Sequence, residues 1–177
     1  MPVTVRPAKP GDGEPVAAIR VASSRATYRG IFSDNYLVNM DMNLDTWRSM
    51  AAGQLPGTEL FVCEGDEGLL GFACCGPARP PAFAFAGELY AMYVAPHAIG
   101  KGCGSMLMPA VIKSLVKAGC ADMFLWVLED NVRARRFYAK HGGVEVPNSR
   151  QSFTSDGVEI WEVAYGFHPL PQAVARG

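Results

Sequence analysis

A glycine-rich loop between a predicted strand and a predicted helix limits the folds open to this chain. Residues 87–94 read GELYAMYV, an apolar run typical of a strand. Gly100, Gly102 and Gly104 follow at alternate positions, and a helical pattern then runs from Ser105 to about residue 117. Backbone N–H groups in such a loop, with the positive end of the helix dipole, favour a phosphate or pyrophosphate. The segment therefore predicts a phosphate-containing ligand, although a glycine loop by itself also fits a plain tight turn.

Two other phosphate-binding patterns fit this loop less well. GxGxxG would need a glycine where Ser105 stands, and GxxxxGK[ST] is absent. A dinucleotide-dependent enzyme would also need a long parallel sheet and an acidic residue about 20 residues after the loop. Asp122 is near that spacing, but the strand after it leads into a helix and a final hairpin. The surrounding elements therefore disfavour a nucleotide-dependent enzyme.

The remaining segments predict one mixed α/β domain around a single sheet. Apolar periodicity and turn signals indicate the order strand, two helices, three strands, helix, strand, helix, hairpin. Ser33 is a predicted helix N-cap, and Asp156-Gly157 is a predicted two-residue hairpin turn. We expect the domain to cover residues 1–167, and residues 168–177 to form a tail that is disordered or crosses to a partner. The predicted strands are 4–6, 59–64, 69–75, 87–94, 123–128, 151–155 and 158–165, and the predicted helices are 14–28, 33–51, 105–117 and 131–141.

Composition argues against several classes of protein. The chain has 177 residues, is 49% hydrophobic and carries a net charge of -1, so nothing favours nucleic acid or an acidic membrane as a partner. No apolar run approaches the ~20 residues that span a bilayer, and the first ten residues do not resemble a secretion signal. The five cysteines show no CxxC spacing, which predicts reduced thiols in the cytoplasm. His97 and His141 lack partners at metal-ligand spacing, so no metal is expected.

Two segments together resemble a known family. Residues 93–96 (YVAP) followed by 100–107 (GKGCGSML) resemble the acetyl-CoA signature of the GNAT N-acetyltransferase superfamily. Residues 125–142 (LWVLEDNVRARRFYAKHG) resemble the last conserved strand and helix of that family. The resemblance is most specific over residues 88–142 and extends, more loosely, over nearly the whole chain. It implies a mostly antiparallel twisted sheet of about seven strands, splayed between the fourth and fifth, with about four flanking helices and acetyl-CoA as cofactor.

Two positions depart from the family pattern. Ile99 stands where the family usually has Arg or Gln, which removes one side-chain contact to the pyrophosphate. Gly143 stands where the family commonly has an aromatic or aliphatic residue, and we expect it to loosen the end of the last helix. Ile99 is also the best support for a different class of protein, a module that binds acyl-CoA without turnover.

The reaction implied by the resemblance needs a base, a donor to the oxyanion and an acid. An alkyl ammonium has a pKa near ~10.4, so a base must remove a proton before the amine attacks the thioester. Glu88 is the predicted base, because the resemblance implies that the strand leading to the glycine loop borders the acceptor site. Two-residue alternation puts Glu88 on one face of this strand with Tyr90, Met92 and Val94. Some family members use a Glu near this position through a water. The alternative is an ordinary edge or solvated carboxylate.

Tyr138 is the predicted acid. By resemblance it points toward the CoA sulfur and returns a proton to the thiolate, while Phe137 packs in the core. The alternative is a buried tyrosine with a satisfied hydroxyl. The backbone N–H of Val94 is the predicted donor to the acetyl carbonyl. Asn131 is predicted both to cap its helix and to contact the pantetheine arm.

The resemblance also implies a set of cofactor-binding residues. Lys101, Arg135 and Arg136 could each approach the CoA phosphates, and Cys103 in the loop is a candidate alkylation site rather than a nucleophile. The full set is Met92, Tyr93, Val94, Ile99, Gly100, Lys101, Gly102, Cys103, Gly104, Ser105, Asn131, Ala134, Arg136, Phe137 and Tyr138.

The acceptor is expected to be a small primary amine that attacks directly in a ternary complex. Acceptor residues in such folds come from the first two helices and the late hairpin, which here favours Tyr28, Phe32 and Glu88, with Tyr36, Trp47 and segment 149–155 nearby. Aromatic residues with few charges favour a small amine. A polyamine bound by Asp34, Asp41 and Asp45, or a protein or peptide amine, remains open. A homodimer formed through late strands is also expected.

Overall fold

The computed structural model describes residues 2–80 and 83–171. Within these ranges eight strands and five α-helices form one α/β unit. The strands are β1 (Thr4–Pro7), β2 (Glu59–Gly65), β3 (Gly68–Pro77), β4 (Gly87–Val94), β5 (Met123–Leu128), β6 (Val144–Glu145), β7 (Gln151–Ser155) and β8 (Val158–Phe167). The helices are α1 (Gly13–Thr27), α2 (Asp34–Val38), α3 (Leu44–Ala51), α4 (Cys103–Lys117) and α5 (Val132–Lys140), with a short 3₁₀ turn at Pro96–Ala98.

One mixed sheet runs through the molecule in the order β1-β2-β3-β4-β5-β8-β6, and β7 also pairs with β8. Neighbouring strands are antiparallel except β4 and β5, which are parallel and pair only at Gly87 with Met123 and at Glu88 with Phe124. Beyond Glu88 these two strands separate. The predicted fold class is confirmed, including the splay between the fourth and fifth strands. The two-residue β6 raises the strand number from about seven to eight.

The helices form two layers, one on each face of the sheet. Trp47 of α3 packs on Phe72 of β3 with ring centroids 5.1 Å apart, and α1 packs against α3 in the same layer. Cys103 at the start of α4 contacts Cys63 of β2 on the opposite face. α5 joins α4 in that second layer, because the Phe137 ring lies against the first turn of α4.

The second predicted helix, residues 33–51, is two helices in the structure. Ser33 caps α2 as predicted, since its Oγ accepts a hydrogen bond from the Tyr36 amide at 3.0 Å. α2 ends at Val38, and Asn43 adopts a left-handed φ of 50° just before α3 begins. A left-handed residue cannot continue a right-handed helix, so the chain turns here instead of running straight.

A β-bulge in β4 overturns the predicted alternation around Glu88. Cys74 pairs with Ala91 and Cys75 pairs with Leu89, which leaves Tyr90 as an extra residue on β4. Side chains before the bulge therefore lie on the face opposite to the one that strict alternation from residues 91–94 would give them. Glu88 lies opposite Gly76 and shares the face that carries α1 and α3, whereas the side chains of Met92 and Val94 point to the α4 layer.

Gly143 does not loosen the end of α5. Its amide donates to the Tyr138 carbonyl at 2.9 Å. The Phe167 ring occupies the space that a side chain would need, because a Cβ built at this position would lie 2.7 Å from Phe167 Cζ. The absence of a side chain here is thus explained by close packing of β8 against the end of the helix.

The start of the predicted tail packs on the domain. Leu170 is buried, and its amide donates to the Ala121 carbonyl at 2.8 Å. Residues 172–177, on which disorder or a crossing to a partner was predicted, lie outside the described residues. In the described ranges no helix is long and apolar enough to cross a membrane. The homodimer stays a prediction.

Candidate active site

A cavity of about 510 Å³ lies where β4 and β5 separate. It connects the two helix layers, because α1 contributes to one side of it and the starts of α4 and α5 contribute to the other. Its lining is Ser23, Thr27, Tyr28, Met92, Tyr93, Val94, Ala98, Ile99, Gly100, Gly102, Cys103, Gly104, Ser105, Asn131, Arg133, Ala134, Phe137, Tyr138 and Lys140.

The glycine loop presents unpaired amide groups at one end of this cavity. Gly102 caps α4 in a left-handed conformation with φ 87°, which glycine adopts without a steric penalty. Within residues 2–80 and 83–171 no side chain caps the helix, and its first internal bond runs from the Met106 amide to the Gly102 carbonyl. The amides of Cys103, Gly104 and Ser105 therefore have no partner within the helix. These donors and the helix dipole favour a phosphate group.

The open edge of β4 supplies further donors in the middle of the cavity. The Ala95 amide donates to the carbonyl of Leu70 in β3 at 2.8 Å. Successive amides along a strand point to opposite edges, so the amides of Met92 and Val94 point away from β3. They face the gap that β5 leaves when it diverges. Both can donate to a carbonyl oxygen placed there, which agrees with the role predicted for Val94 and adds Met92.

Three tyrosines contribute to the lining at the centre of the cavity. The Tyr138 side chain is buried, and burial, followed by the nearby Tyr93, raises its pKa. Burial, followed by Tyr93, also raises the pKa of Tyr28. The hydroxyl groups of Tyr28 and Tyr138 are therefore protonated at neutral pH. A protonated Tyr138 can donate a proton, as the predicted acid must.

Asn131 lies at the start of α5 and borders the cavity. Its Oδ1 accepts a hydrogen bond from the Ala134 amide at 3.2 Å, which fits the predicted N-cap. It also belongs to the cavity lining, so one side chain stabilises the helix and faces the site.

Glu88 does not belong to the cavity lining. Its carboxylate is 3% exposed and forms an ion pair with Arg79, with 2.6 Å between Oε1 and Arg79 Nη2. The Arg79 Nε and the Arg79 amide donate to the other oxygen at 3.1 and 2.9 Å. Its role as base stays a prediction, and any proton would have to reach it through an intervening group.

Most predicted cofactor residues lie in the cavity wall, and two charged ones do not. Lys101 and Arg136 are exposed residues outside the lining. Arg135 points elsewhere, since it donates to the Glu129 carbonyl at 3.1 Å and to Glu145 at 3.0 Å. Of the predicted acceptor residues, Tyr28 lines the cavity, and Phe32 lies next to it with ring centroids 5.6 Å apart.

Five lining residues were missing from the sequence-based prediction. Arg133 and Lys140 are the two cationic members. Arg133 lies four residues before Phe137 on α5, and this helical spacing could have identified it. Ser23, Thr27 and Ala98 carried no comparable signal, because they reach the cavity only through the packing of α1 and the 3₁₀ turn.

The thiol in the lining belongs to Cys103, which is 1% exposed. It contacts Cys63, and burial, with the hydrogen bond between the two thiols, raises the pKa of Cys63 to about 12. A buried thiol turned toward a second buried thiol is poorly placed to attack a ligand. Within the described residues no group of acidic, histidine or cysteine side chains could hold a metal ion.

Contacts between residues 32–35, at the start of α2, and the β7–β8 hairpin lie beside Tyr28 on the acceptor side. Phe32 and Phe153 have ring centroids 6.3 Å apart. The Asp156 carboxylate accepts hydrogen bonds from Ser33 Oγ and, at 3.1 Å, from Asn35 Nδ2. The hairpin is therefore fixed to the segment that follows α1.

Comparison with known proteins agrees with this geometry. Residues 12–143 match the Acetyltransferase (GNAT) family, so the chain belongs to that family. It is an acetyl-CoA-dependent acyltransferase.

Individual relatives cover nearly the whole chain. It is 33% identical over 171 residues to the uncharacterized N-acetyltransferase YuaI of Bacillus subtilis, which covers 95% of this chain and 94% of YuaI. The fold is similar to PaiA N-acetyltransferase of Thermoplasma acidophilum, solved with coenzyme A, with a TM-score of 0.71 and 20% identity over 95% of this chain and 99% of PaiA. It is also similar to YncA of Salmonella typhimurium, solved with its cofactor acetyl-CoA, with a TM-score of 0.69 and 20% identity over 99% of this chain and 98% of YncA.

The residues of the cavity fit acetyl-CoA. The unpaired amides at the start of α4 suit its pyrophosphate, and Arg133 and Lys140 add positive charge. Among the described residues of the lining there is no carboxylate that would repel the phosphates.

Proposed function

We propose that this protein transfers an acetyl group to the amine of a small molecule by direct attack in a ternary complex. The observation that carries the proposal is the order of groups along one cavity. Phosphate-binding amides lie at one end, the free amides of Met92 and Val94 lie at the edge of β4, and the protonated Tyr138 adjoins them. Acyl transfer to an amine needs these groups in the same order: donors to the cofactor phosphates, donors to the acyl oxygen and an acid for the leaving thiolate.

Each residue has a distinct part in this reaction. Acetyl-CoA, when bound, supplies the thioester carbonyl. The Met92 and Val94 amides stabilise negative charge on the acyl oxygen, and Tyr138 donates a proton at the sulfur. Glu88 accepts the amine proton through intervening water.

Direct attack is favoured over a covalent acyl-enzyme. A covalent route needs a nucleophile that is activated by a base and faces the acyl group. Cys103 is the cysteine in the lining, and its buried thiol is directed to Cys63. The amine must therefore reach the acyl carbon itself.

The acceptor approaches from the layer of α1 and α3. The glycine loop on the α4 side is taken by the donor, which leaves the side of Tyr28 and Tyr93 for the amine. Contacts of Phe32 with Phe153 and of Ser33 with Asp156 connect α2 to the hairpin over this side. A bordered entrance of this kind suits a small molecule better than an extended polypeptide, which needs an open groove.

The test is calorimetric titration with acetyl-CoA, followed by incubation of the complex with a panel of amines while free thiol is measured. We expect saturable binding and thiol release with some small amines. Mass spectrometry should find the acetyl group on the amine nitrogen. Binding without thiol release for any amine would support the alternative of a non-catalytic acyl-CoA sensor. Release with peptides alone would support a protein acceptor.

A further inference from the structure

Arg79 is held in a fixed orientation on the acceptor face of the sheet. Its Nε and Nη2 donate to the two carboxylate oxygens of Glu88 at 3.1 and 2.6 Å. Its guanidinium carbon lies 4.2 Å from the centroid of the Tyr90 ring. An ion pair along one edge and an aromatic ring against one plane together orient the guanidinium before any ligand binds.

The other edge of this guanidinium is open. Arginine has five N–H donors in a planar fork, and Glu88 uses one from Nε and one from Nη2. In residues 2–80 and 83–171, Arg79 Nη1 has no hydrogen-bond partner, and the side chain is 62% exposed. A carboxylate or phosphate could bind both terminal nitrogens, and little side-chain entropy would be lost because the group is already oriented.

The carboxylate that holds Arg79 lies on the same face of the sheet as the acceptor end of the cavity. The bulge at Tyr90 puts Glu88 on the face of Tyr93, and Tyr93 lines the cavity beside Tyr28. Tyr90 and Tyr93 are three strand residues apart, which corresponds to about 10 Å between their Cα atoms. A ligand extended along β4 could therefore reach from the tyrosines to Arg79.

We propose that Arg79 selects acceptors that carry an anionic group separated from the reacting amine by an extended spacer. The proposal rests on the amine acetylation proposed above and names its substrate class. An ω-amino acid has this chemistry, with the amine at the acyl carbon and the carboxylate on Arg79. In this arrangement Glu88 positions Arg79, and Arg79 determines specificity. A polyamine would instead bring a second ammonium close to the Arg79 cation.

The test compares two acceptor series of matched length, ω-amino carboxylates and n-alkylamines, from about two to about ten carbons. We expect kcat/KM for the amino carboxylates to exceed that of the alkylamines by about 10-fold or more at an intermediate length. In Arg79→Met the ratio of the two kcat/KM values at equal length should fall to about one, because the KM for the amino carboxylates rises more than that for the alkylamines, while the KM for acetyl-CoA stays unchanged. Arg48→Met is the matched control, because Arg48 is also exposed and ion-paired, but it pairs with Glu14 of α1 and lies outside the cavity lining.

Arg79→Met leaves the Glu88 carboxylate buried without its partner, so the double variant Arg79→Met/Glu88→Gln is tested for folding and binding as well. Binding of N-acetylated amino carboxylates and N-acetylated alkylamines to the CoA-loaded protein is measured by calorimetry. Tighter binding of the anionic products by the native protein, lost in both variants, would support the role of Arg79. Equal binding of the two products, or equal loss on both acceptor series, would overturn it. Absence of transfer to every amine refutes the proposed function instead, and the binding comparison still decides on Arg79.

Discussion

Glu88 and Tyr93 share one face of β4, although they are five positions apart and strict alternation would put them on opposite faces. Their partners on β3 are Gly76 and Phe72, which lie four residues apart and so point the same way. The bulge at Tyr90 absorbs the extra residue. As a result, the carboxylate and the tyrosine that adjoin the acceptor side share a face, while the Met92 and Val94 side chains pack toward α4.

Glu88→Gln should lower kcat by about 100-fold and leave the KM for acetyl-CoA unchanged. The amide cannot accept the amine proton, and the residue lies outside the cavity that would hold the cofactor. The measurement is steady-state kinetics with an n-alkylamine, which carries no anionic group for Arg79 to bind. Arg79→Met is the comparison. If both variants lose the same activity on this amine, the effect of Glu88 comes from its contacts with Arg79, and Glu88 does not act as a base.

Tyr138→Phe should lower kcat by about 10²-fold or more, with acetyl-CoA binding retained. Burial raises the pKa of Tyr138, so its hydroxyl is protonated over the whole range in which the protein is assayed. Since the protonated form is the active one, Tyr138 should cause no loss of rate as pH rises from 6 to about 9. The pH profile of kcat and calorimetry with acetyl-CoA check both parts. Full activity in the variant would exclude the acid role.

Gly143→Ala should destabilise the fold by about 1–3 kcal/mol. The new methyl group would lie 2.7 Å from the Phe167 ring and 3.0 Å from the Tyr138 carbonyl, so the end of α5 or β8 must shift. Urea denaturation measures the effect. Phe167→Leu in the same chain removes the ring atoms and should make the alanine less harmful, which a double-mutant cycle would detect as a coupling energy. Additive effects would mean that the ring is not the obstacle.

Asp12→Asn should lower the free energy of unfolding at pH 7 by about 3 kcal/mol. Burial alone would raise the pKa of Asp12, but hydrogen bonds from Arg6 and from the Lys9 amide outweigh it and leave the pKa below its usual value. A carboxylate whose pKa is lowered in the folded state stabilises the protein above its ordinary pKa near ~3.9, and this contribution is lost as pH falls through the folded-state pKa. The difference between the native protein and Asp12→Asn should therefore shrink in urea titrations as pH falls below ~3.9. A constant difference would assign the effect to packing.

Local sequence determined the elements and the phosphate end of the site. Ser33 and Asn131 predicted their caps, Asp156-Gly157 predicted its hairpin, and the alternate glycines predicted a loop that opens a helix with free amides. These features depend on residues within a few positions of each other, and backbone sterics and short hydrogen bonds act over that range. The family resemblance extended them to the order of strands and the splay between β4 and β5.

Only the tertiary structure decided how the acceptor side is arranged. The bulge at Tyr90 depends on how β4 pairs with Cys74 and Cys75, so no pattern within β4 reveals it. The ion pair of Glu88 with Arg79 depends on the path of the loop between β3 and β4. Thr27 and Arg133 meet across the cavity although 106 residues separate them. Period and spacing describe neighbours along the chain, whereas register, loop path and helix packing are set by contacts between distant segments.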